Sequence, residues 1–103
     1  MVNERSFGQT IRQLREARGL LLRQLASQLE VDTAFISKME RSEKKANKEH
    51  VEKLALILNV DIHKLMTIWL SDRLMDALEK EPNAISALKL TEQRLRIKRF
   101  KNA

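Results

Sequence analysis

Thr33, Ala34, Ser37 and Lys38 follow one another at intervals of one, three and one residues. At 3.6 residues per turn those intervals would bring all four onto one face of a helix. Two hydroxyls able to donate or accept, one methyl and one ammonium with three donors suit reversible recognition by hydrogen bonds, not bond making. Nothing in the chain resembles a nucleophile beside its base or a Gly-rich phosphate loop. There is no Cys, which excludes thiol nucleophiles, disulfides and Cys-zinc sites. His50 and His63 stand alone, without the Cys, His or paired acids of a metal site, and Glu79 and Glu81 read as solvated. No catalytic residue, metal, cofactor or small-molecule effector is expected.

The chain has 103 residues, with 20 Lys and Arg against 14 Asp and Glu, for a formal net charge of +6. An excess of this sign points to a polyanionic partner, nucleic acid first and an anionic membrane second. With 43% apolar residues, two Gly and one Pro, composition favours a mainly helical fold. A chain this long buries about 60 to 65% of its unfolded surface, enough for a core without staples. Uncharged runs such as Leu54 to Val60 are far shorter than the roughly 20 apolar residues of a membrane helix. "MVNERSFG" lacks the apolar centre of a signal peptide, so a soluble cytoplasmic protein is the expectation.

Capping residues and apolar spacing then place the elements. Ser6 with Gln9 reads as a capping box, and Phe7, Ile11 and Leu14 share a face until Gly19, giving a helix over about Ser6 to Arg18. Leu22, Leu25, Ala26 and Leu29 give a second, ending near Glu30. Asp32 is a good N-cap for a third, with Ile36, Met39 and in part Phe35 inward and Thr33, Ala34, Ser37 and Lys38 outward. Two short helices joined by about three residues make a helix-turn-helix. A fourth helix carries Val51, Leu54, Ala55 and Leu58 as far as Asn59. Asp61 caps a fifth, whose apolar band from Ile62 to Leu78 is wider than one core face needs, with Ile68 and Met75 off the face of Leu65 and Trp69. Pro82 breaks it, Asn83 offers a cap, and a sixth runs to Phe100, ending in the basic "RLRIKRFK".

The segments "FGQTIRQLREARGL", "LRQLASQLEV", "FISKMERSEKK" and "LALILNVDIHKL" resemble the Xre/Cro/lambda-repressor helix-turn-helix family. The resemblance implies an all-α fold: a five-helix DNA-binding domain over residues 1–70, with its third helix in the major groove. Residues 71–103 form a helical extension beyond it. The stretch from Leu21 to Ala46 also resembles the controller proteins of restriction-modification systems. Departures are visible: Leu21 and Leu22 stand where the family usually has a hydroxyl cap and Gln, and Glu30 and Ser42 where it often has Gly.

A helix in a groove about 12 Å wide reads base edges through its first two turns. On this reading Thr33, Ala34, Ser37 and Lys38 face the bases: Lys38 toward guanine O6 and N7, the hydroxyls toward several bases, Ala34 toward a thymine methyl. Arg23, Gln24, Lys44, Lys45 and Lys48 are placed for phosphates, while Phe35 lies against either sugar-phosphate or core. The resemblance implies a structural ion pair between Arg15 and Glu40. Because a two-fold operator calls for a two-fold protein, Ile68, Trp69, Met75 and Leu78 are assigned to dimerisation. The sequence thus predicts a homodimeric regulator bound to an inverted repeat in double-stranded DNA. The competing reading is an antitoxin or adaptor whose last helices hold another protein.

Overall fold

The computed structural model describes residues 5–102. The first four positions of "MVNERSFG" lie outside them. Every regular element among the described residues is helical: α1 (Phe7–Ala17), α2 (Leu22–Leu29), α3 (Thr33–Glu40), α4 (Lys48–Leu58), α5 (Ile62–Leu78) and α6 (Ala84–Lys101). None is long and apolar enough to cross a membrane. The chain divides into two compact units, Met1–Asp72 and Arg73–Ala103, with the boundary inside α5.

The starts of α1, α2, α4 and α5 have local causes. Ser6 accepts from the Gln9 N–H while Gln9 Oε1 accepts from the Ser6 N–H, the reciprocal box that begins α1. Leu21 has no side chain able to cap α2, yet Gln24 Oε1 accepts from the Leu21 N–H at 2.8 Å and supplies half of a box. Asn47 and His50 repeat the arrangement for α4, with His50 Nδ1 accepting from the Asn47 N–H at 3.1 Å. Asp61 accepts from the His63 N–H at the start of α5. Asn83 does not cap α6 with its side chain: its backbone lies at φ −96° and ψ 16°, not in the extended region that aims a cap at the first turn.

Among the described residues, the non-glycine residues Glu30, Ser42 and Asn59 hold left-handed backbone, at φ 62°, 64° and 52°. Each follows a helix directly or one residue on, where the chain must reverse. Glu30 and Ser42 stand at the two positions where the resemblance leads one to expect Gly, and both hold the left-handed backbone that Gly adopts most readily.

The core of the first unit draws on five helices: Phe7 and Ile11; Leu25, Ala26 and Leu29; Ile36 and Met39; Val51, Leu54, Ala55 and Leu58; and Leu65. A fully buried side chain of this size contributes about 1.5 to 3 kcal/mol. Gly8 lets α1 approach the end of α3, since a Cβ there would lie 2.2 Å from the Met39 carbonyl oxygen. Two polar links fasten the start of α1: Ser6 and Ser42 hydroxyls 3.2 Å apart, and the Phe7 N–H donating to Asp72 Oδ2 at 2.9 Å. In the second unit, α6 has no buried residue.

Candidate nucleic-acid interface

The outward face of α3 exists because its other face is fixed. Ile36 and Met39 are fully buried, and Asp32 Oδ1 accepts from the Phe35 N–H at 2.7 Å, which sets where the helix begins. With rotation and start determined, Thr33, Ala34 and Lys38 are exposed and Ser37 is half-buried on the opposite side. Thus the four residues share one face on an element that the core holds from behind.

Glu40 completes that anchoring. It is 6% exposed, and its carboxylate accepts from Arg15 Nε at 2.7 Å and Nη2 at 3.0 Å. Arg15 Nη1 also donates to the Leu20 carbonyl at 2.7 Å, so one guanidinium fastens α1, the loop before α2 and the last turn of α3. Hydrogen bonding to Glu40 is the main reason the Arg15 pKa lies above the ordinary arginine value, outweighing burial, which acts the other way. No buried side-chain polar atom among the described residues lacks a partner.

The residues assigned to phosphates lie on the elements that flank α3 in the chain. Arg23 and Gln24 are exposed on the first turn of α2, Lys44 and Lys45 in the loop after α3, and Lys48 at the first position of α4. Gln24 has its carbonyl oxygen engaged at the start of α2, which leaves its NH2 end as a donor. Phe35 is half-buried against the core and packs its ring on His50, centroids 5.0 Å apart. That contact fixes the first turn of α3 against the first turn of α4.

Residue spacing alone does not reveal two polar side chains beside α3. His50 is one, held between Asn47 and Phe35. The other is Arg41, the C-cap of α3, whose Nη1 donates to Ser37 Oγ at 2.6 Å while Nε and Nη2 both point at Glu43 Oε2, at 3.2 and 2.9 Å. Hydrogen bonding from Arg41, together with its charge, lowers the Glu43 pKa. Arg41 lies four residues after Ser37, a spacing visible in the sequence once α3 is extended by one residue.

The four residues assigned to dimerisation divide. Ile68 and Trp69 are half-buried against the first unit's own core, where Trp69 Nε1 donates to the Ala46 carbonyl at 2.8 Å. Met75 is 54% exposed, and Leu78 is half-buried. No group of His, Cys, Asp and Glu arranged to hold a metal ion occurs among the described residues.

A helix-turn-helix family model matches residues 11–65, more than half of the chain. Among solved structures, SinR of Bacillus subtilis, a master regulator for biofilm formation, in complex with DNA, is 31% identical. That match covers 58% of this chain and 97% of the other, with a TM-score of 0.54. The restriction-modification controller protein C.AhdI of Aeromonas hydrophila is 32% identical over 57% of this chain and 89% of its own, also at 0.54. A SinR/SinI complex, 24% identical, shares the fold over 89% of this chain and 98% of the matched one, with a TM-score of 0.53. No curated protein sequence is significantly similar. With α2, the turn and α3 built as above and the family matched across them, the chain belongs to the helix-turn-helix family of Xre/Cro-like DNA-binding transcriptional regulators.

Proposed function

We propose that this regulator acts as a homodimer on an inverted-repeat operator. Thr33, Ala34, Ser37 and Lys38 of each protomer read base edges, and Arg23, Gln24, Phe35, Lys44, Lys45 and Lys48 hold the backbone on either side. The observation behind the base-reading assignment is the division of α3: Ile36, Met39 and Glu40 are buried, and the four readers lie on the remaining surface. Of the rest of α3, Phe35 is half-buried and packed on His50, and Arg41 follows directly as the C-cap.

The homodimer is supported by unburied apolar surface. Leu74 and Met75 on α5, and Ile85, Leu90, Leu95 and Ile97 on α6, are all between 47% and 65% exposed. These side chains leave apolar area on α5 and α6 that a second copy could cover. A two-fold inverted repeat calls for a second copy. Within the family, the likeness to C.AhdI supports a controller of restriction-modification genes. SinR, named for a different task, is about equally similar, so the shared fold supports DNA binding and leaves the regulated genes to the reading face.

The test begins by selecting bound sequences from a random DNA pool. On the selected site, Thr33→Ala with Lys38→Ala should cost about 1 to 3 kcal/mol per good contact, with random-DNA binding little changed. Lys44→Ala should weaken both DNAs alike and make affinity less sensitive to salt, because one fewer counterion is released. If the double variant binds its selected site as tightly as the parent, the base-reading assignment fails.

A further inference from the structure

The geometry points to Arg41 as a further base-reading residue, one whose guanidinium Glu43 holds in the free protein and DNA takes over. This rests on the operator reading above and adds to its site. Arg41 ends α3 with φ −89° and ψ 5°, close enough to helical that its side chain continues the outward face, four positions from Ser37 and three from Lys38. The 2.6 Å bond from Nη1 to Ser37 Oγ brings the guanidinium back over that face. It therefore lies beside Ser37, among the reading residues, whereas Lys44 and Lys45 lie in the loop beyond.

Two N–H groups of one arginine match O6 and N7 of guanine, the commonest specific contact in the major groove. Here Nε and Nη2 are already engaged, both on Glu43 Oε2. The two side chains are 53% and 55% exposed, so water competes for the pair and the contact exchanges readily. Phosphates brought up by docking would repel the Glu43 carboxylate and favour its departure from Arg41. Guanine then offers two acceptors to the donors released. Glu43 thus serves as a placeholder: it keeps Arg41 folded over Ser37 in the free protein and restrains it from DNA until the backbone has docked.

Arg41→Lys separates charge from shape, because lysine keeps the cation and loses the fork. Expected is a tenfold to hundredfold loss on the selected site, with random-DNA affinity and salt dependence unchanged. Glu43→Gln should raise random-DNA affinity through charge alone and selected-site affinity by more. That excess should vanish when Arg41→Lys is added, which makes the two changes non-additive. Thermal unfolding of each variant checks that these exposed changes leave the fold intact. Selected-site affinity unaffected by Arg41→Lys overturns the inference. So does Arg41→Ala lowering both affinities equally, the mark of a phosphate contact. A parent protein that does not discriminate its selected site from random DNA overturns the operator reading itself, and this inference with it.

Discussion

Glu40 and Arg15 show how one residue pair can matter more than any surface contact. Both side chains are nearly withdrawn from water, and each satisfies the other through two bonds. Removing one partner strands a buried charge, so Glu40→Ala should cost about 3 to 5 kcal/mol of folding stability. DNA affinity should then fall only as far as the protein unfolds. Affinity lost with an unchanged melting curve would contradict this structural role. Because the Arg15 pKa is raised by its bond to Glu40, its contribution is fully present below the ordinary arginine value and fades only as pH rises through the higher folded one. At the turn, Glu30 holds φ 62° without glycine's freedom. Left-handed backbone costs an L-residue about 1 to 2 kcal/mol, and glycine gives part of that back through its freer unfolded chain. Glu30→Gly should therefore raise stability by roughly 0.5 to 1 kcal/mol in denaturant unfolding, with DNA binding retained.

At the scale of elements, the decisive contact is α1 against the last turn of α3. A methyl at position 8 would sit 2.2 Å from a backbone oxygen, which cannot rotate away as a side chain could. Gly8→Ala should destabilise by about 1 to 3 kcal/mol or more, although alanine is the better helix former. Stability gained by that change would show that the helices separate freely. Much of the frame was legible in the sequence because its causes are local. Ser6 with Gln9, Asp32, and the spacing of Leu22, Leu25 and Leu29 act within one or two turns. The need for Gly8 was not, since it comes from a carbonyl 31 positions away. Asp72 meets Phe7 across 65 positions, beyond any local pattern. Ile68 and Trp69 show the limit of periodicity: helical spacing separates faces, but α5 meets the core over a wider arc, and Trp69 finds its acceptor on the loop at Ala46. Asn83 has the right chemistry for a cap on a backbone that does not present it.

The whole molecule combines a DNA-reading unit with a helix that has no buried residue of its own. Most helical stability in proteins comes from packing an apolar face, and α6, 18 residues long, buries none of its residues while exposing Ile85, Leu90, Leu95 and Ile97. Pairing between two copies would cover that surface and join two reading faces in one particle. The gain on DNA then comes from linkage: once one half-site is bound, the second binds as an intramolecular step, which strengthens the pair by about 10² to 10⁴ without any new contact. Met75→Gln combined with Leu95→Gln alters only exposed positions, so melting of the first unit should be unchanged. Sedimentation should show the parent as a dimer and the variant as a monomer. Affinity for a single half-site should be equal for both, while the inverted repeat loses the factor due to linkage. A variant that sediments as a monomer yet binds the full repeat like the parent would mean that the two reading faces are not coupled through these helices. A parent that is itself monomeric, with this apolar surface open, would instead favour a different protein as the partner of α6.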